Sequence, residues 1–209
     1  MDRERVLIVA KTRMDSGICV SGLTQVSNRG IRLLPKGRWN QPMDTRFELG
    51  QVWEMEFQEA ARVEPPHVED VIVISTKYVG RATNLRGILM RRVRPWRGGP
   101  ENLFNKMLTI SARKCYVSRS GPMPPCSTGY WIPDRRLILD QNESKHYYLI
   151  EHKRRYGGTL SQTLSIRFVV LEAPLEEIPA GTLVRVSLAR WFNVAGEDRC
   201  YLQISGWYL

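Results

Sequence analysis

The chain has 209 residues, of which 43% are hydrophobic and 25% charged, and its formal net charge at pH 7 is +10. This composition provides enough apolar material for a packed core and excludes an intrinsically disordered chain. No apolar run approaches the roughly 18–20 residues that span a bilayer, and Met1–Arg5 is not followed by a signal-peptide cleavage pattern. We therefore expect a soluble, cytoplasmic protein with no membrane partner.

Short apolar or β-branched runs bounded by Gly, Pro, Asn or Asp recur along the chain and predict strands. In chain order these runs are Val6–Ala10, Ile18–Gln25, Gly30–Leu34, Val52–Phe57, Val71–Ser75, Lys114–Ser118, Leu137–Leu139, Tyr147–Glu151, Leu164–Leu171, Leu183–Leu188 and Tyr201–Ser205. Strict alternation in the fourth run predicts that Trp53, Met55 and Phe57 face the core. The same alternation in Leu183–Leu188 places Arg185 on the solvent face of its strand.

One helix is predicted at Glu101–Ile110, after Gly98-Gly99-Pro100, and candidate linkers are Arg94–Pro100 and Ser118–Thr128. Strands that do not alternate with helices argue against a parallel sheet. We predict an all-β fold, mainly β with one short helix, as two small OB-like Greek-key barrels in tandem. Residues 1–95 would form the N-terminal barrel, and residues 96–209 the C-terminal barrel with the helix and a basic, Pro-rich insertion.

The excess positive charge is concentrated in one segment. Residues 71–133 contain eleven basic residues and one acidic residue, Glu101, whereas the rest of the chain is balanced. A soluble surface normally interleaves the two signs, so this concentration indicates a polyanionic partner. Of the 31 basic residues, 24 are arginines, whose planar fork suits phosphate, and Pro95 interrupts any basic amphipathic helix for a membrane. The competing interpretation is a solvated loop face.

Aromatic residues interleaved with arginines are typical of proteins that stack nucleic-acid bases beside a cationic groove. This pattern occurs at Arg38-Trp39, at Arg94–Arg97 and at Arg190–Phe192. A buried ring beside a surface arginine is the ordinary alternative at each place. With the central basic segment, the pattern gives these candidate nucleic-acid contacts: Arg38, Trp39, Arg91, Arg92, Arg94, Trp96, Arg97, Arg113, Lys114, Arg190 and Trp191.

No residue pattern indicates catalysis or a metal site. His67 precedes Glu69 and Asp70 and could hold a metal or move a proton, but Pro65-Pro66 favours a structural turn. The four cysteines, Cys19, Cys115, Cys126 and Cys200, form no Cys-x-x-Cys pair, and a Cys115–Cys126 disulfide is the minor alternative. We therefore expect a non-enzyme without cofactor or metal, and keep a nuclease-like activity as a third hypothesis.

Both ends of the chain carry recognisable motifs. Near the start, Lys11-Thr12-Arg13 precedes a Gly17-x-Cys19-x-x-Gly22 turn and a strand that begins Gly30-x-Arg32, and the final 27 residues include Val186-Ser187-Leu188, Phe192 and Cys200-Tyr201. These motifs resemble the bacterial dual OB-containing domain family. Gly30–Pro35 departs from it, because an aromatic ring often present there is missing. The resemblance implies two barrels and nucleic-acid association in bacterial defence or mobile-element systems, and Arg13 and Arg32 join the candidate contacts.

The function that the sequence favours is nucleic-acid binding with low sequence specificity, to single-stranded or structured DNA or RNA. The alternative is an adapter subunit of a larger nucleoprotein complex without direct nucleic-acid contact, because arginines and aromatic rings also mark protein interfaces.

Overall fold

The protein is known from a computed structural model, which describes residues 2–37, 40–140, 145–155 and 159–209. The chain divides into two compact units, residues 1–93 and 94–209. Both units consist mainly of β-strands, so the predicted fold class is confirmed. Within the described ranges, no helix is long and apolar enough to cross a membrane.

The first unit contains a closed barrel with the strand order β1-β2-β3-β5-β4. Its strands are β1 (Asp2–Met14), β2 (Gly17–Thr24), β3 (Gly30–Leu34), β4 (Gln51–Glu59) and β5 (Asp70–Arg81). Strands β3 and β5 are parallel, and the other four pairs are antiparallel. The first half of β1 pairs with β4 and its second half with β2, so one bent strand closes the barrel. This is the arrangement of an OB barrel.

Alternating residues of β4 form one wall of the barrel core. Trp53, Met55 and Phe57 are each at most 6% exposed, which confirms the inward face predicted from the alternation. The Trp53 ring packs edge-on against Phe47 and Tyr78, with centroids 5.2 and 5.3 Å apart. Such aromatic pairs stabilise a core beyond the apolar area that they bury.

A short helix that the sequence analysis missed, α1 (Leu85–Arg92), follows the barrel. It begins at Asn84, whose side chain accepts a hydrogen bond from the backbone N–H of Gly87 at 2.7 Å. This is the usual N-cap contact, which satisfies one of the free N–H groups of the first turn. Leu89 is fully buried, whereas Arg86 and Arg91 are exposed. The helix therefore packs on one side and presents arginines on the other.

The described residues of the second unit form eleven strands. They are β6 (Trp96–Gly98), β7 (Thr109–Ser111), β8 (Lys114–Ser118), β9 (Thr128–Pro133), β10 (Leu137–Asp140), β11 (Tyr147–Arg155), β12 (Thr159–Phe168), β13 (Glu177–Ile178), β14 (Leu183–Leu188), β15 (Phe192–Val194) and β16 (Glu197–Tyr208). Six of them follow the order β10-β11-β12-β16-β14-β9, with β12 and β16 parallel. Because β9 and β10 are separated only by residues 134–136, they act as one interrupted first strand, and the order repeats that of the first barrel.

Two hairpins extend the second barrel. Strands β7 and β8 form one, β15 and the start of β16 form the other, and β8 pairs with β16 at Tyr116–Ser118. Cys115, Val117 and Cys200 point into the core of this unit, together with Trp131 and Tyr148. The side chains between them, including Tyr116 and Arg199, therefore lie on the outer face of the extension.

The helix predicted at Glu101–Ile110 is wrong. A kinked 3-10 helix occupies Pro100–Lys106, and the chain then forms β7. Phe104, Asn105 and Lys106 have positive φ angles of 49°, 55° and 66°, which no α-helix accommodates. Leu103 and Phe104 are both buried, and the change of backbone direction between them brings both consecutive side chains into the core.

The predicted solvent exposure of Arg185 is also wrong. Its neighbours Val184 and Val186 point into the core, as the alternation requires, but Arg185 is only 5% exposed. Its guanidinium donates a hydrogen bond to Ser205 Oγ at 2.8 Å, and Ser205 is itself buried. The alternation therefore correctly placed Arg185 on the face of β14 that points away from the core. That face is not exposed to solvent at Arg185.

Candidate nucleic-acid interface

Four arginines between residues 86 and 97 are exposed: Arg86 and Arg91 in the first unit, and Arg94 and Arg97 in the second. For these four side chains, the described part of the structure contains no hydrogen-bond or salt-bridge partner. Exposed guanidinium groups without a carboxylate can bind phosphate without first breaking an ion pair. Three of them were predicted as nucleic-acid contacts, and Arg86 was not.

Arg92, a predicted contact, makes hydrogen bonds within the first unit. Its guanidinium donates hydrogen bonds to the carbonyl oxygens of Thr24 and Gln25 at 2.5 and 2.8 Å, and to Asn28 Oδ1 at 2.8 Å. These bonds hold the end of α1 against the turn between β2 and β3. The Nε and Nη2 donors of Arg92 are therefore already used within the first unit.

Trp96, a predicted stacking residue, is half-buried. Its ring packs against Phe104 with centroids 4.9 Å apart, and its Nε1 donates to Asn105 Oδ1 at 3.2 Å. A Cβ atom added to Gly129 would lie 2.2 Å from the Trp96 ring, so the ring rests directly on the β9 backbone. Only part of the Trp96 ring remains available to a base.

On the first barrel, Arg32 is paired internally rather than free for phosphate. Its Nε and Nη2 donate to the two carboxylate oxygens of Asp70 at 2.6 and 2.8 Å, which is a bidentate pair. Both side chains are largely buried, at 13% and 5% exposure. The candidate Arg13 is exposed at the end of β1, whereas Arg38 and Trp39 lie outside the described residues.

Arg113 lies in the turn between β7 and β8, Lys114 is the first residue of β8, and this turn lies against β12. The backbone N–H of Ser165 donates to the Arg113 carbonyl at 2.9 Å, and Arg113 Nε donates to the Thr163 carbonyl at 3.2 Å. Lys114 Nζ donates to Ser165 Oγ at 3.3 Å and lies 4.4 Å from the ring centroid of Tyr147. The sequence analysis missed Tyr147, and also Arg167, which pairs with it across β11 and β12.

The candidates Arg190 and Trp191 precede β15. Trp191 is half-buried, and the guanidinium of Arg119 stacks 4.4 Å from its ring centroid while also pairing with Asp198 at 2.9 Å. The next residue, Phe192, is 65% exposed and was not predicted as a site residue. The exposed ring of Phe192 therefore lies next in sequence to the ring of Trp191, which already stacks with Arg119.

Across this hairpin, Arg199 stacks on the outer face of Tyr116, with its guanidinium 4.5 Å from the ring centroid. Glu197 accepts hydrogen bonds from Ser118 Oγ and from Arg199 at 2.5 and 2.7 Å. These two donors, first Ser118 and then Arg199, lower the pKa of the Glu197 carboxyl. The positive charge of Arg199 is therefore balanced by the Glu197 carboxylate, whereas Arg113 and Lys114 donate to uncharged oxygen atoms.

His67 is buried at 4% exposure, and its backbone N–H donates to the Glu64 carbonyl at 2.8 Å. Among the described residues, no group of three or more His, Cys, Asp or Glu side chains could hold a metal ion. Glu69 and Asp70 are buried nearby in sequence, and Asp70 already binds Arg32. The structural role of His67 stays a prediction.

All four cysteines are free thiols, and two of them are buried. Burial raises the pKa of the Cys115 thiol to about 12, because the thiolate would lose its hydration. At pH 8 we expect iodoacetamide to modify the half-buried Cys19 and Cys126 in the folded protein, and Cys115 only after unfolding. Peptide mass spectrometry after timed labelling would measure this order, and rapid native labelling of Cys115 would contradict it.

Comparison with known proteins identifies the family of this fold. The family described as dual OB-containing domain matches residues 4–207, which includes both barrels. The chain belongs to this family. The dual OB-containing domain accounts for the repeated strand order of the two units, and the resemblance noted at the two ends of the sequence is confirmed. Comparison with curated proteins finds no match.

Several solved structures are similar to this dual OB-containing domain over nearly its whole length. One is the Ifi202 HINa domain in complex with a 20 bp dsDNA, at 8% identity and a TM-score of 0.39, covering 100% of this chain and 97% of that one. Another is a murine DNA-binding protein bound with dsDNA, at 9% identity and a TM-score of 0.33, covering 98% of this chain and 93% of that one. The p204 HINb domain has 10% identity and a TM-score of 0.36, covering 97% and 96%. Likenesses at this level transfer no ligand.

Proposed function

We propose that this dual OB-containing domain binds the phosphate backbone of nucleic acid with low sequence specificity. The observation that carries the proposal is the set of four exposed arginines, Arg86, Arg91, Arg94 and Arg97, that have no partner within the described residues. Small barrels of this type commonly bind oligonucleotides, and an excess charge of +10 attracts a polyanion. The setting that we propose is a bacterial defence or mobile-element system, with no catalytic step.

Replacing Arg86, Arg91, Arg94 and Arg97 together by Ala should weaken nucleic-acid binding strongly at low salt. Each phosphate contact releases condensed counterions, so each lost contact should reduce the slope of log K against log salt by about 0.7 to 0.9. Fluorescence anisotropy with labelled single-stranded and duplex oligonucleotides, over a range of salt concentrations, would measure this change. Because these four side chains make no internal bonds, we expect the thermal unfolding midpoint to stay unchanged.

A matched control removes the same number of charges elsewhere. Arg3, Arg5, Arg62 and Arg136 are also exposed, and their replacement by Ala lowers the net charge equally. The control should retain most of the salt slope, because none of its four residues is among the proposed contacts. If both variants behave alike, the binding reflects net charge and the assigned arginines are wrong. If neither the wild type nor the control binds any oligonucleotide, nucleic-acid binding itself is wrong.

The adapter function is the second candidate, and the exposed ring of Phe192 favours it. Exposed aromatic residues beside arginines frequently anchor protein interfaces. Loss of a co-purifying protein partner in Phe192→Ala, with unchanged oligonucleotide affinity, would support this second function over the first.

A further inference from the structure

The turn between β7 and β8 brings three cations to one strand face of the second barrel. Arg113 comes from the turn, Lys114 from the start of β8, and Arg167 from β12. The backbone hydrogen bond from Ser165 to Arg113 fixes the turn on β12, so the positions of these cations are set by main-chain contacts. Arg113 has a φ angle of 66°, which is the left-handed backbone conformation found in tight turns.

Among the described residues, these three cations have no acidic partner. Within the described ranges, none of them has a salt bridge, and their hydrogen bonds go to the Thr163 carbonyl and to the Ser165 hydroxyl. The acidic residues in register with this face are Asp140, opposite Tyr147 on β10, and Glu151, opposite Thr163 on β12. Two carboxylates against three cations still leave net positive charge, and neutral oxygen partners are easily exchanged for phosphate.

Tyr147 lies in the middle of this positive face. Lys114 contacts its ring, Arg167 is its cross-strand neighbour, and the ring remains partly exposed. A partly exposed ring among unpaired cations can stack on a base while the cations hold the adjacent phosphates. In a duplex the faces of the bases are stacked on each other, so only an unpaired base can reach the ring in this way.

The corresponding strands of the first barrel offer no such face. There Arg32 on β3 is bound by both oxygens of Asp70, and Ser21, its neighbour on β2, is only 5% exposed. The two barrels therefore differ in the availability of their cations, although they share a strand order. Of the two sets of corresponding strands, those of the second barrel therefore carry the cations that are available to phosphate.

We propose that the face formed by Arg113, Lys114, Tyr147 and Arg167 is a binding site for single-stranded nucleic acid. Tyr147 stacks on one base, and the three cations contact the phosphates on either side of it. This inference rests on the proposed function, since it specifies which form of nucleic acid binds and on which barrel.

The test compares Tyr147→Ala and Tyr147→Phe with the wild type, using an oligothymidine strand and a blunt duplex of equal length. Removing one stacked ring should weaken binding of the single strand by about 5- to 150-fold with an unchanged salt slope, since stacking releases no counterions. Tyr147→Phe keeps the ring and should bind as the wild type does. Duplex affinity should change less than twofold in both variants.

Two further variants make the outcome specific. Lys114→Met retains the aliphatic length and should reduce the single-strand salt slope by about 0.7. Tyr78→Ala removes a ring that is 49% exposed on the first barrel and should leave single-strand affinity unchanged. If Tyr147→Ala folds, as judged by circular dichroism, and binds the strand within twofold of the wild type, this site is wrong while the proposed function stands. If the wild type binds neither oligonucleotide, the proposed function fails together with it.

Discussion

Replacing Asp70 by Ala is expected to destabilise the first barrel by about 3–5 kcal/mol, because Arg32 would keep a largely buried charge without its carboxylate. The pair joins residues that are 38 positions apart and ties β3 to β5, the parallel pair of the barrel. Urea denaturation followed by circular dichroism would measure the loss. Amide hydrogen exchange on β3 and β5 would assign it to this barrel.

The matched control replaces both partners, as Arg32→Met with Asp70→Leu. A buried ion pair exchanged for apolar residues of similar volume is often neutral or more stable by about 1–4 kcal/mol, so the double variant should recover most of the loss. A single Asp70→Ala variant that loses less than about 1 kcal/mol would show that water reaches the guanidinium and that the pair is effectively solvated.

Replacing Trp131 by Ala should destabilise the second barrel by about 3–5 kcal/mol, because it empties the largest fully buried site of the described core. The indole also holds β6, since its Nε1 donates to the Gly98 carbonyl at 2.8 Å. Cavity formation and the lost hydrogen bond therefore act at the same place. Thermal unfolding monitored by calorimetry would give the change in stability.

Trp131→Phe separates these two effects. The phenyl ring fills most of the space but cannot donate to Gly98, so the loss should be smaller, about 1–3 kcal/mol for the unsatisfied carbonyl and the residual void. Hydrogen exchange should rise in β6 and β9 in this variant. An equal loss in both variants would mean that the hydrogen bond, and not the packing, dominates at this position.

Period-two alternation predicted most of the strands because it records burial directly. Gly30–Leu34, Lys114–Ser118 and Leu183–Leu188 have the predicted bounds in the structure. Strands of two or three residues, such as β13 and β15, are too short to show a period and were missed. Their pairing is decided by neighbouring strands that are distant in the sequence.

The two helical segments show where local patterns mislead. Asn84 followed by Leu85, Ile88 and Leu89 carried the signal for α1, but the sequence analysis treated this stretch only as part of the basic segment. In Glu101–Ile110 the apolar spacing suited a helix, yet the core requires consecutive residues 103 and 104 on the same side. Tertiary packing therefore overrode propensity in the second case.

For the candidate site, the sequence identified the cations but could not distinguish free from paired ones. Arg91 and Arg92 are adjacent, yet one is exposed and the other binds two carbonyl oxygens more than 60 positions away. Tyr147 gave no signal, because its neighbours Lys114 and Arg167 approach only through folding. Pairing over such distances is a property of the topology and is absent from local composition.

Strand β16 also determines when each barrel can assemble. The first barrel has all of its strands by Arg81, whereas β8, β12, β14 and β15 all pair with β16, which starts at Glu197. At a synthesis rate of roughly 5–20 residues per second, the ribosome needs on the order of 10 s to make the residues between these points. During that interval a finished N-terminal barrel would precede hairpins that cannot yet join, so the apolar strands of the second barrel are the part of the nascent chain most in need of a chaperone.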